Sequence, residues 1–288
     1  MESDELTPAE FDGVRKNRYR PGLPWKRIGF LLLAVVLVVG GYFWRQKVRA
    51  DALRERMYTQ HASEVAPTLE LLDGTRTDLV EKTMSAKAGA AHRKVDAPVP
   101  VSALHEQKVA YLRVRATDLG SEESLQVAID AEDADAIGAC LGLTLIPVAS
   151  LADVPEVLTS KWLAGAEDTN DMMRLSVREE QLTRAIEREL PDIAARVPAD
   201  YFLLLVVQGQ DRLRDPVDVF LWDLPEDRLV LRSRTENHGK LITVLSKIGP
   251  KTDSARAKGD PIVAADCSIA AHIKGQLGEP TMDLAKSD

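Results

Sequence analysis

Only two cysteines, Cys140 and Cys267, occur in 288 residues, which excludes a disulfide-dense scaffold and any multi-cysteine zinc module. Aromatic residues make up just 5% of the chain, without the basic aromatic stripe that single-strand nucleic-acid binders use. Positive charge is also short, with 37 basic residues against 45 acidic. Beyond residue 27 the imbalance is 31 to 40, and such a surface repels phosphate backbones, so no nucleic-acid partner is expected. Asparagine appears three times while Ala, Val, Arg and Asp abound, a bias that suits a GC-rich bacterial genome.

The motifs of common enzymes are missing too. There is no G-x-S-x-G elbow and no G-x-x-x-x-G-K phosphate loop. His105-Glu106 is followed by Gln107-Lys108-Val109, so the zinc-protease pattern fails at its second histidine. His61, His92, His105, His238 and His272 are scattered without metal-ligand spacing. Gly275-x-x-Gly278 has no strand before it and reads as a helix end. Asp130, Glu132, Asp133 and Asp135 precede Gly138, but Ile137 and Thr144 stand where a calcium loop needs oxygen ligands. An acidic, solvated helix start accounts for them better. Neither a catalytic residue, a cofactor nor a metal is expected.

What is present is one long apolar run. Residues 28–44, IGFLLLAVVLVVGGYFW, carry no charge and as a helix measure about 25 Å, a little under a ~30 Å hydrocarbon core. Lys26, Arg27 and Arg45 can snorkel, and Trp25 on one side and Tyr42, Phe43 and Trp44 on the other suit the headgroup level. A transmembrane helix in a lipid bilayer is the expectation. Bulky aromatics and Arg45 replace the small residues of a cleavage site, and no cysteine follows for lipidation, so an uncleaved signal-anchor fits better than a signal peptide. Six basic residues precede the span within 15 positions and five follow it, nearly a tie under the positive-inside rule. A short basic leader before a long domain favours a cytoplasmic amino terminus, with the opposite orientation still open.

The remainder divides as follows. Residues 1–27 read as a disordered cytoplasmic tail, 28–44 as the membrane helix, and 45–106 as a helical stalk stopped near Pro67, then a linker. Residues 107–277 read as a soluble α/β (α+β) domain, a mixed sheet with helices packed on it, and 278–288 as a tail. Strands are expected at 108–116 and 143–148, and a helix capped by Asp153 at 153–164. The strongest helix is 175–190, broken by Pro191. YFLLLVV at 201–207 is apolar on both faces and predicts a central strand. A hairpin at 217–235 turns on Leu224-Pro225-Glu226-Asp227, a strand at 240–245 follows, and 262–277 forms a last helix. On this division, residues 101–288 should fold without the anchor. Cys140 and Cys267 pair if the domain faces an oxidising compartment. Their apolar helical contexts equally suit free buried thiols.

This order resembles the amino-terminal domain of the translocation protein TolB and related periplasmic domains of lipoproteins that activate penicillin-binding proteins. The resemblance spans roughly residues 107–277. It is carried by the opening strand at 108–116, the second at 143–148, Ala199-Asp200-Tyr201 with the apolar run and Gly209, and Leu221-Trp222-Asp223 with its turn and Leu229. A membrane helix stands where those lipoproteins have a lipidated cysteine. The resemblance implies a non-catalytic envelope domain that binds other proteins. Alternatives are an envelope hydrolase without a readable motif and a membrane-tethered regulator facing the cytoplasm.

Overall fold

The computed structural model describes residues 25–86, 94–95, 99–131, 135–197, 199–235 and 261–278. The tails at 1–24 and 279–288, the strand expected at 240–245, His92, Glu132, Asp133, His238 and the side chain of Trp25 lie outside the described residues.

Helix α1 (Trp25–Gln60) passes through one π-helical turn, His61–Val65, into α2 (Ala66–Ser85). The stretch Ile28–Ser85 is therefore continuous, and its apolar window, none of it buried, is long and apolar enough to cross a membrane. Pro67 does not stop the helix. It sits in the first turn of α2, where a missing N–H is least needed, and the widened turn before it accommodates the ring.

The sheet has the order β1-β6-β5-β4-β2-β3, with β1 (Lys94–Val95), β2 (Val109–Arg115), β3 (Leu145–Pro147), β4 (Tyr201–Val207), β5 (Val217–Asp223) and β6 (Arg228–Thr235). Strands β3, β2 and β4 run parallel, whereas β5, β6 and β1 are antiparallel to their neighbours. Strand β4 is central, as its two apolar faces require: Phe202, Leu204 and Val206 enter one core layer, and Leu203, Leu205 and Val207 the other. Phe202, Trp222 and Phe220 stack across β4 and β5 with 5.5 Å between successive ring centroids, which fixes their register.

The layer on one face is built by α4 (Glu122–Asp130), α6 (Ser160–Ala164), α7 (Met172–Arg188), α8 (Leu190–Ala194) and the end of α1 with α2. The opposite layer is built by α3 (Val101–Leu104), α5 (Ile137–Leu141) and α9 (Pro261–Gln276). Here the division at residue 107 needs correction. Ala50, Leu53, Met57, Val65, Leu72 and Leu79 are buried in the first layer, and Val101 and Leu104 in the second. The segment taken for a stalk is an integral helix of the core. Side chains on α1 also tie it down: Arg54 donates to the carbonyls of Ala166 (3.1 Å) and Thr169 (2.6 Å), and Tyr58 to Glu167 (2.8 Å).

Local boundaries differ in instructive ways. The helix expected from Asp153 is a short 3-10 turn, Glu156–Leu158, followed by α6, and its cap is Thr159, whose hydroxyl accepts from Trp162 N at 3.2 Å. Pro155 holds an extended backbone before the turn, which postpones the helix. Helix α7 starts earlier than its apolar period, because Asp171 caps it through Met173 N at 2.9 Å. Pro191 opens α8 as an early helical residue. The hairpin turns at 224–227, where Asp227 adopts a left-handed φ of 44°.

Candidate functional site

Strand β2 carries two arginines at its carboxyl end. Arg113 shares the sheet face of Val109 and Tyr111, beneath α9, and its side chain is only 8% exposed. A guanidinium so placed must be matched by charge, and α9 supplies the match in Asp266, 0% exposed. Arg113 Nη1 donates to Asp266 Oδ1 at 2.7 Å, and Arg212 Nη2 donates to Asp266 Oδ2 at 2.9 Å. The backbone N–H of Ala136 donates to Asp266 Oδ2 at 3.0 Å. Asp135 adds a second carboxylate, 3.5 Å from Arg113 Nη1, and accepts from the Tyr111 hydroxyl and from Ile137 N. Burial works against the charge of Arg113, but Tyr111, Asp266 and Asp135 outweigh it, and the guanidinium stays above its ordinary range.

Arg212 reaches this cluster from the loop after β4. That loop closes on itself: Gln208 N donates to Pro216 O at 2.9 Å, Asp211 N to Asp215 Oδ2 at 2.6 Å, and Leu213 N to Asp211 Oδ1 at 2.9 Å. Gly209 is needed because a Cβ there would collide with the Asp215 carboxylate. The closed loop aims Arg212 back over the sheet edge. Beside it, Asp218 accepts both Nε (2.6 Å) and Nη2 (2.9 Å) of Arg234, with Gln208 Nε2 at 2.9 Å, a bidentate pair across β5 and β6.

Between these elements opens a crevice of about 300 Å³, lined by Arg113, Arg115 and Val207 at the strand ends, Gln210 and Arg212 from the loop, and Ser124, Val127, Ala128 and Ala131 of the α4 region. Strands β3 and β4 lie on opposite sides of β2. The chain leaves the carboxyl end of β2 towards β3, by way of α4 and α5, and leaves that of β4 in the opposite direction, towards β5. The crevice thus sits outside the carboxyl ends of parallel strands where the winding reverses, the usual place for a ligand in open α/β sheets.

No family model, curated protein or solved structure matches this chain.

Cys140 on α5 and Cys267 on α9 are joined by a disulfide, with 5.0 Å between their Cα atoms. It ties α9 beside Asp266, the residue before Cys267, and so holds the carboxylate over Arg113. Tyr42 and Trp44 are exposed on α1. Asp130 accepts from Gln126 and Asp135 belongs to the arginine cluster, so neither faces the other as calcium ligands would. Among the described residues no group of three metal-type side chains converges. His61 is buried, with Nε2 2.8 Å from Leu158 O. His105 lies against Gly142, whose φ of 77° ends α5 and where a Cβ would come within 3.1 Å of the imidazole. His272 Nε2 is 3.3 Å from Ser233 Oγ. Ser233 is 4% exposed under α9, so this pair fastens helix to strand and offers no reachable nucleophile.

Arg113, Arg212 and Asp266 were not singled out by sequence. For Arg113 and Asp266 the signal is a charge inside an apolar period, Arg113 between Leu112 and Val114 and Asp266 within VAADCSIAA; Arg212, in the polar run QGQDRLRD, has none. Charged residues at such positions are almost never buried unless paired.

Proposed function

We propose that the protein is a single-pass, membrane-anchored, non-catalytic binding protein of a bacterial cell envelope. Its anchor is the apolar part of α1, uncleaved, in the inner membrane with the amino terminus cytoplasmic. Its α/β domain lies on the periplasmic side and contacts other envelope proteins. The observation that carries the reading is the continuity of α1 from the exposed apolar stretch into the domain core at Ala50, Leu53 and Met57. Ten residues separate Trp44 from Arg54, about 15 Å of helix, so the anchor would hold the domain close to the bilayer in one orientation. A flexible tether would leave orientation free. The disulfide supports the periplasmic side, since such bonds persist in oxidising compartments. The TolB-type resemblance of the sequence contributes only the kind of role, protein binding.

Topology and partnership are tested separately. In intact cells, the full chain should carry oxidised Cys140 and Cys267, seen as thiols that a maleimide labels only after denaturation and reduction. Free thiols in the freshly denatured protein would put the domain on the cytoplasmic side. Crosslinking in membranes, then capture of the full chain, should recover envelope proteins at defined stoichiometry. Recovery of none, from cells where the protein is folded and abundant, would sink the binding role.

A further inference from the structure

We propose that the crevice outside the carboxyl ends of β2 and β4 binds a small organic anion through a carboxylate or phosphate group seated on Arg113 and Arg212. The inference stands apart from the membrane and partner reading and goes beyond it. Three observations converge on it. The crevice occupies the point where the winding of the parallel strands reverses. Its lining places Arg113, Arg115 and Arg212 against a single carboxylate, Asp118, whose Oδ2 already accepts from Arg115 N at 2.9 Å. Asp135 and Asp266 neutralise the cluster from behind but do not exhaust its donors. Arg113 Nε and Nη2 and Arg212 Nε are buried with no hydrogen-bond partner among the described residues.

Unpaired donors on a buried guanidinium are costly; these lie just beneath the crevice surface, and an acceptor anion that displaced the rim at Arg212, a quarter exposed, would satisfy them in the fork geometry that arginine favours. The organic half of the ligand follows from the remaining wall. Val127, Ala128 and Ala131 of the α4 region give the crevice an apolar wall, and Val114 and Val207 line it at the strand ends. At about 300 Å³ the space lies at the small end of ligand pockets. It suits one ring or a short chain with one charged head. The disulfide and Asp266 hold the two guanidinium groups side by side before any ligand arrives.

The test uses the full chain in detergent or lipid nanodiscs, with phenyl phosphate and benzoate as probes, and inorganic phosphate and benzyl alcohol beside them. Saturable binding by calorimetry is expected for at least one of the two organic anions, tighter than for inorganic phosphate and absent for benzyl alcohol. Arg212→Gln should weaken it at least about tenfold, the scale of one charge-assisted hydrogen bond. Arg212 also supports Asp266, so Ala131→Trp is the second variant: it fills the crevice, leaves the arginines untouched, and should abolish binding with the melting temperature retained. Binding that survives Ala131→Trp would place the ligand elsewhere and overturn the proposal. Inorganic phosphate binding as tightly as phenyl phosphate would overturn its organic half, and no saturable binding of either organic probe would reduce the cluster to a structural one.

Discussion

Arg113 and Asp266, 153 positions apart, meet at 2.7 Å between the sheet and the last helix. Both are almost fully enclosed, so each offsets the cost of burying the other. Asp266→Ala would leave Arg113 buried with only Asp135 near it. Removing one member of a buried ion pair costs about 3–5 kcal/mol, and denaturant unfolding should show a loss of that size. Asp266→Asn keeps one acceptor oxygen and should lose less. Equal stability of Asp266→Ala and wild type would mean that the cluster is not formed in solution.

The disulfide closes a loop spanning 127 positions. In the chain-entropy picture a loop of that length contributes roughly 4–5 kcal/mol. Reduction should therefore lower the unfolding midpoint of the wild type, and it should leave a Cys140→Ala/Cys267→Ala variant, already destabilised, unmoved. Reductant shifting both proteins alike would show that the loss does not come from this bond.

Leu204 is fully buried in β4, facing α-helices on one side of the sheet. An aspartate there would put an unpaired charge in an apolar layer, where the cost exceeds what most domains hold in reserve. Leu204→Asp should yield insoluble or unfolded protein, and a cooperative melt near the wild-type temperature would be incompatible with the central placement of β4.

Lys82 on α2 bridges Asp78 at 2.8 Å and Asp227 in the hairpin turn at 2.6 Å. Burial works against the Lys82 charge, yet the two carboxylates win and raise its pKa, while the hydrogen bond from Lys82 lowers that of Asp227. The signs set a window. The Asp227 contribution is present above its unfolded value of about 3.9 and fades as pH falls through the lower folded value. The Lys82 contribution is present below about 10.4 and fades as pH rises through the higher folded value. Asp227→Asn tolerates the left-handed φ and removes only the charge. Its stability should trail the wild type modestly between those limits and converge with it at both extremes, as read from urea melts across pH. A constant gap would point to the turn and not to the ion pair.

How much of this was legible depends on how local the signal was. The central strand, the hairpin with its proline-led turn and the last helix were visible because their patterns lie within a single element. The part that 45–85 plays in the core is hard to see in the sequence because its buried stripe is thin. Ala50, Leu53, Met57, Val65, Leu72 and Leu79 give only one or two apolar residues per heptad, and His61 fills one place in the stripe. Such a seam looks too weak for a coiled coil and is sufficient for one flank of a larger layer. The crevice was illegible for the opposite reason. Arg113, Asp135, Arg212 and Asp266 come from four separate segments; the apolar runs around Arg113 and Asp266 mark them as enclosed but name no partner, and Asp135 and Arg212 look like ordinary surface charges. Only the winding of β2, β3 and β4 brings them to one sheet edge.

Met57, Val65 and Leu79 are each fully enclosed in the first layer, and burying side chains of this size stabilises by about 1.5–3 kcal/mol apiece. Cutting the chain at residue 101 removes them together and exposes the apolar side chains of α7 and α8 they cover. The fragment 101–288, which sequence patterning alone marks as self-sufficient, should therefore be aggregated or molten. The fragment 45–288, which lacks the apolar run but keeps the core helix, should be soluble and melt cooperatively. Within it, Met57→Ala should cost about 2–5 kcal/mol, the usual range for emptying a core site of this kind. If fragment 101–288 melted as sharply as 45–288, α1 and α2 would be an appendage after all, and the rigid coupling between anchor and domain would have to be given up.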